Sequence, residues 1–323
     1  MTTVLPISPP GERPEKAPLD DAPLAVLSIC GGVALAASLD AAVKWLSGDY
    51  PVHQLLVLRC IVAVPVLFVL AGMRGREIAT VHPRWPVVVL RALIMCSAYL
   101  AFVMAIAAMP IADAVAIYFT LPLFVAALAG PMLGEKVGLE RWLAILAGFL
   151  GVLIMIRPGA GVFEPAALLA LYAAFAYATG QMLTRWLGFG LRAPVLAFHQ
   201  NVVYLLVGLI LSLVFGFGQF ATEVHPSIDF MLRGWATPTP GDLVLILGLG
   251  VIAGLAMLFY TQAYRLTESN LVAPFEYTAM IWATFYGLVL FGEFPDWITG
   301  AGAALVIGAG LYMLRAVRRR GTG

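Results

Sequence analysis

The chain has 323 residues, 62% of them hydrophobic and 11% charged, with a net charge of +1. Soluble domains carry about 25% charged residues, so an ordinary soluble protein is excluded. The apolar residues fill about ten segments of the roughly 20 residues needed to cross a bilayer. Their continuous rather than alternating hydrophobicity excludes an outer-membrane barrel. The near-zero charge, with no basic patch, excludes a standard nucleic-acid binder.

Taken in chain order, the first 23 residues hold Pro6, Pro9, Pro10, Pro14, Pro18 and Pro23 among mixed charges. They lack a signal-peptide pattern and read as a disordered tail. Apolar runs follow at 24–46, 52–73, 86–107, 111–132 and 139–156, then at 165–185, 194–216, 242–264, 271–292 and 296–315. Short connections force several neighbours into antiparallel pairs. The long segment 217–241, polar and containing Thr237, Pro238, Thr239 and Pro240, reads as an external flap. Cys30, Cys60 and Cys96 lie inside apolar runs and suggest neither a disulfide framework nor a metal set. If the N-terminus is cytoplasmic, only Lys44, Arg157 and Arg233 fall outside, Arg59 and Arg91 lie within helices, and every other Lys and Arg falls inside. By the positive-inside rule both termini are cytoplasmic, including the basic tail 316–323.

Ten helices divide into two sets of five, and an odd number makes the second set enter the membrane inverted. The halves would be 24–156 and 165–315, joined by an external linker at 157–164. Leu133-Gly134-Glu135 and Phe291-Gly292-Glu293 end corresponding runs, and Thr120 matches Thr278 at an offset of 158 residues. The helices that follow carry Gly148 and Gly151, and Gly300, Gly302, Gly308 and Gly310. Such glycines also serve close helix packing alone, as Gly250 and Gly254 would.

In these residues the sequence resembles the EamA-type repeat of the drug/metabolite transporter superfamily. Pro122, Gly134, Glu135, Gly148 and Gly151 carry the first copy; Gly292, Glu293 and Gly308 carry the second, with Met280 at the proline position and Pro274 six residues earlier. The resemblance covers about 24–315 and in overall look is nearest the YddG-type amino-acid exporter branch. It implies an all-α polytopic membrane protein of ten transmembrane helices in two inverted five-helix repeats. It further implies a secondary transporter that exports small metabolites, amino acids foremost, across the inner membrane by alternating access. Pro122 and Pro274 would be its hinges, although Met280 breaks the symmetry between them.

Ionisable groups at bilayer depth need a partner or a wet cavity. Asp40 and Lys44, four residues apart, either pair locally or leave Asp40 facing the cavity. Arg59 is the deepest fixed positive charge, suited to Asp40 or to a substrate carboxylate. His199, Gln200 and Asn201 span about 200° of one helix, so at least one must bond a neighbouring helix. Glu276 follows Pro274, whose missing N–H frees a nearby carbonyl; it lines a cavity or pairs with His199. Tyr99, Tyr118, Tyr172, Tyr177, Tyr260, Tyr277, Trp282 and Tyr286 supply rings for packing or for an aromatic-lined pocket. The expected substrate-binding set is Arg59, Glu276, Asp40, Tyr99, Tyr118, His199 and Trp282. Asp113, Glu135 and Glu293 sit near helix ends and read as solvated or structural.

An intramembrane enzyme is disfavoured, because His53, His82, His199 and His225 are scattered and no metal-binding or nucleophile motif is present. A channel would need a filter or a charged ring. No phosphate-binding loop with lysine appears, so ATP is not the expected energy source. The expected partners are a small-molecule substrate and the lipid bilayer, with no cofactor, no metal and no nucleic acid, and with function as a monomer. Proton-coupled export of drugs or other metabolites is the alternative.

Overall fold

Hydrocarbon offers no partner for a free backbone N–H or C=O, so a chain this apolar must satisfy its backbone within helices. The computed structural model of the protein describes residues 22–70, 85–133, 139–156, 164–187, 193–222, 224–266 and 273–320, and these contain helices and no strand. The first half forms α1 (Ala22–Leu46), α2 (Val52–Leu70), α3 (Trp85–Ala108), α4 (Ile111–Tyr118), α5 (Leu121–Leu133) and α6 (Leu139–Ile156). The second forms α7 (Ala166–Leu187), α8 (Ala193–Phe215), α9 (Pro226–Leu232), α10 (Pro240–Leu266), a 3-10 segment (Ala273–Thr278), α11 (Ala279–Phe291) and α12 (Trp297–Arg320). Six helices are long and apolar enough to cross a membrane; shorter apolar stretches run over Ile111–Val125, Trp142–Met155, Phe275–Phe291 and Trp297–Ala309. The N-terminal tail, Gly134, Glu135 and Arg157 lie outside the described residues.

Exposure is distributed as a bilayer requires. Leu143, Leu146, Leu150 and Leu153 form one exposed row on α6, and Leu206, Leu209, Ile210 and Leu213 another on α8. In water such contiguous apolar faces would mark a contact surface; here they face lipid. The chain is a multi-pass membrane protein.

Packing is pairwise and close. α1 runs along α10, α3 along α7, α6 along α12 and α2 along α8, while α2 also meets α10 and α3 also meets α8. Two crossings bring backbones together. A Cβ on Gly151 would lie 2.7 Å from the Gly302 carbonyl oxygen, and a Cβ on Gly250 would lie 2.5 Å from the Arg59 carbonyl oxygen. Glycine is therefore required at both, which is the close-packing role weighed for Gly250.

Two predicted elements differ from expectation. The run 111–132 is broken between α4 and α5 at Phe119-Thr120. Pro122 has no N–H to return to the Tyr118 carbonyl four residues back, and at the break the Ile117 carbonyl accepts from both the Thr120 N–H at 3.1 Å and the buried Thr120 hydroxyl at 2.8 Å. The run 271–292 is likewise two pieces, and the Thr278 hydroxyl donates to the Phe275 carbonyl at 2.6 Å where they join. The second break forms without a proline at Met280; what the two breaks share is the threonine.

The segment 217–241 is a fastened cover rather than a loose polar flap. It contains α9, whose Phe230 is fully buried in the main core beside Leu46, Leu55 and Ile106. Ser227 Oγ donates to the Met104 carbonyl at 2.6 Å, and Arg233 donates to the Ser47 and Gly48 carbonyls. Gln54 both donates to and accepts from the backbone of Ala236, at 2.7 and 3.1 Å. Buried His53 accepts from the Trp235 indole N–H at 3.0 Å and donates to the Arg233 carbonyl at 3.2 Å.

Candidate functional site

The polar interior is assembled from several helices around two arginines. Arg59 of α2 is 6% exposed, and its guanidinium lies over the Tyr99 ring of α3, 4.3 Å from the centroid. Such stacking offsets part of the cost of burying a cation. Among the described residues, Arg59 forms no salt bridge, and its Nε–H is buried without a hydrogen-bond partner. Asp40 of α1 is near enough to attract it through space but does not bond it. The sequence left open a structural Asp40–Arg59 pair; the structure does not form one.

Rings continue the site. Tyr99 stands 5.9 Å from Tyr204 of α8, and Tyr118, at the end of α4, stands 5.1 Å from Phe102 and 6.0 Å from Tyr177 of α7. Glu276, in the 3-10 segment, is within electrostatic reach of Tyr118, Tyr177, Tyr260 and Tyr277, and Asp40 of Tyr99, Tyr118 and Tyr260. Tyr118 is thus within electrostatic reach of both carboxylates, one from each half of the chain. Arg59, Tyr99, Asp40, Tyr118 and Glu276 are linked by one ring contact and by electrostatic reach.

The other expected residues stand apart. His199 donates to its own helix at the Val195 carbonyl, 2.8 Å away, and its ring packs 5.0 Å from Trp85. Its neighbours make the inter-helix bonds: Gln200 accepts from Arg91 at 3.0 Å, and Asn201 accepts from the Cys60 thiol at 3.9 Å. Trp282 packs against the α1–α10 cluster of Ile29, Val33 and Ala263 and stacks on Tyr286, bordering the site at Tyr260. Pro122 lies in the first turn of α5, and Pro274 in the 3-10 segment. Sequence reasoning missed Tyr204 altogether and recorded Arg91 only as an intramembrane arginine. The spacing of Gln200 and Tyr204, one helical turn apart, was the available signal; they bond at 3.1 Å.

Lys44 does not pair with Asp40. It reaches across to the connection after α11, where its Nζ meets Glu293 Oε1 at 2.6 Å and Oε2 at 2.9 Å, and it also donates to the Met109 carbonyl at 2.8 Å. The long lysine stem spans between helices, whereas a local pair would have left Glu293 and the Met109 carbonyl unserved. At the same end a cavity of about 220 Å³ is lined by Asp113, Glu164, Asp296 and Thr299. There Glu164 accepts from His225 at 2.9 Å, and Asp296 caps α12 by accepting from Thr299 N at 2.7 Å.

Comparison with known proteins accounts for this architecture. The chain is 32% identical over 220 residues to a riboflavin transporter of Rhizobium johnstonii, covering 68% of this chain and 67% of that one. It is 24% identical over 231 residues to an S-adenosylmethionine uptake transporter of Rickettsia prowazekii, covering 72% of each. It is also 25% identical over 279 residues to the pseudopaline exporter CntI of Pseudomonas aeruginosa, covering 86% of this chain and 91% of that one. A solved crystal structure, 18% identical, shares the fold with a TM-score of 0.62 over 92% of this chain and 98% of its own. The relatives are transporters, not enzymes, and the chain is a small-metabolite transporter. The EamA-like transporter family model matches twice, at 23–157 and 164–315, and the chain belongs to that family of the drug/metabolite transporter superfamily.

Proposed function

We propose that this protein exports amino acids, neutral or aromatic, across the inner membrane, with Arg59 holding the substrate carboxylate. The observation that carries the reading is the buried Arg59 guanidinium, stacked on Tyr99, with an unpartnered Nε–H and no salt bridge among the described residues. An arginine at bilayer depth costs about 2.5–3.5 kcal/mol on insertion scales, and a bound carboxylate would offset that by charge-assisted hydrogen bonding. Asp40 and Glu276 supply acceptors for the ammonium, and Tyr99 and Tyr118 supply faces for an apolar side chain.

Alternating access between inverted halves, 24–156 and 165–315, is supported by the helix pairing. Exchange of each helix with its counterpart turns α1 against α10 into α7 against α3, and α2 against α10 into α8 against α3. The double family match has the same boundaries within a few residues. In this reading both termini are cytoplasmic, the monomer suffices, and the bends fall beside Pro122 and Pro274. Cysteine labels at Gly234 and Gly321 should then react from opposite sides of the membrane; same-side labelling overturns the topology.

A second reading is a flat heteroaromatic metabolite, favoured by the tyrosine-rich wall and by relatives named for riboflavin and S-adenosylmethionine. Flux through proteoliposomes of a labelled amino-acid panel, with riboflavin and S-adenosylmethionine beside it and with and without a pH gradient, decides between the two. Amino-acid flux that Arg59→Gln abolishes supports the first reading. Flux of the heterocycles alone replaces it.

A further inference from the structure

The site contains a second buried guanidinium that the reading above leaves unused. Arg91 of α3 is 8% exposed. Its Nε–H donates to Thr184 Oγ1 of α7, and an Nη1–H donates to Gln200 Oε1 of α8 at 3.0 Å. A guanidinium carries five N–H donors and a permanent charge. Thr184 and Gln200 take two donors and neutralise none of the charge. Among the described residues Arg91 forms no salt bridge. An uncharged donor would tie these helices together at a lower desolvation cost, so the cation calls for an anion.

The two arginines stand at different depths on one connected wall. α2 and α3 run antiparallel; Arg59 lies close to the middle of α2, level with Tyr99 of α3, whereas Arg91 lies near the start of α3, eight residues before Tyr99. At 1.5 Å rise per residue their separation along the bundle is roughly 10–15 Å. The interval is filled by Gln200, whose Nε2 donates to the Tyr204 hydroxyl at 3.1 Å, and by the Tyr204–Tyr99 pair leading to Arg59. Tyr177 lies in the same cluster and within electrostatic reach of Arg91. The order along this wall is cation, rings, cation.

We propose that Arg91 is a second anion-binding residue of the transport site, and that the cargo bears an anionic group at each end of a ring-containing body. This rests on the reading of Arg59 as the carboxylate-binding residue and narrows the amino acid of that reading to one whose ring-bearing side chain carries a second acidic group. A single carboxylate would occupy Arg59 and leave Arg91 uncompensated. A cargo with a second carboxylate or a phosphate about a ring's length away engages both.

The test uses the purified full-length protein and two probes that differ by one charge, 3-phenylpropanoate and 3-(4-carboxyphenyl)propanoate, with binding read by thermal stabilisation. The diacid is expected to bind the wild type about tenfold or more tightly than the monoacid, the worth of one added charge-assisted contact. Arg91→Gln should erase that preference while leaving monoacid affinity unchanged, Arg91→Lys should retain part of it, and Arg59→Gln should weaken both probes. Equal binding of the two acids to the wild type, or binding of neither, overturns the proposal even if Arg91→Gln fails to fold. Equal weakening of both probes by Arg91→Gln also overturns it, marking Arg91 as a structural tie. If instead Arg59→Gln alone leaves both probes unaffected, the carboxylate-binding reading of Arg59 fails.

Discussion

At the covered end of the bundle, Lys44 meets the Glu293 carboxylate at 2.6 Å and the Met109 carbonyl at 2.8 Å, and Arg233 is bound by Asp229 and by two backbone carbonyls. In the interior, Arg59 and Arg91 are buried; Arg59 lies over the Tyr99 ring and Arg91 donates to a hydroxyl and an amide, and neither forms a salt bridge among the described residues. The difference separates two uses of charge in one membrane protein. A cation matched by a carboxylate holds helices together and is complete by itself. In the proposed reading, a cation matched by neutral groups is completed by the cargo. The same residue type therefore has different consequences on removal, and the following variants measure the difference.

The largest expected effect is on stability, at the cover. Phe230→Ala empties a fully buried site where α9 meets the core, and the cost is about 3–5 kcal/mol, seen as a lowered Tm. Next, Arg59→Gln should weaken substrate affinity by about 1.5–3 kcal/mol, or about 10–100-fold, in a transport assay. The Tm of this variant should hold or rise, because an uncompensated buried charge has gone; a fall in Tm with normal transport would reverse the comparison. Glu293→Gln should do the opposite, lowering Tm by removing Lys44's counter-ion at a cost of about 1–2 kcal/mol while leaving probe affinity intact. The smallest effect is expected at the helix breaks. Thr120→Val and Thr278→Val each remove one side-chain hydrogen bond, worth about 1 kcal/mol, and equal losses at the two sites would tie them as counterparts.

Much of the fold was legible because membrane helices announce themselves over long windows: all ten apolar runs coincide with helices or helix fragments to within a few residues. What escaped was set by contacts distant in sequence. The partner of Lys44 is 249 residues away, just past the end of α11, so the four-residue spacing to Asp40 was the pair in view. Segment 217–241 read as polar from its threonines, prolines and charged residues, yet it is seated by Phe230 in the core and by hydrogen bonds of Ser227, Arg233, Trp235 and Ala236. Arg59, Asp40 and Glu276 stood out in the sequence because intramembrane charge is rare and needs a reason. His199 was overread: a histidine can satisfy Nδ1 on its own helix, as this one does at the Val195 carbonyl. Arg91 was underread, because its meaning lies in having neutral partners, and partners are not written in the sequence.

The hydroxyls of Thr120 and Thr278 have one more consequence. A backbone carbonyl released inside hydrocarbon finds no water to replace its lost donor. At these two points the replacement travels with the chain, since the donor is a side chain three residues along on the same strand of backbone. Angular play at each joint can trade a main-chain donor for a hydroxyl instead of stranding an oxygen. The two interrupted helices thus carry a spare donor at the joint, whereas the crossing at Gly151 and Gly302 brings two backbones into contact.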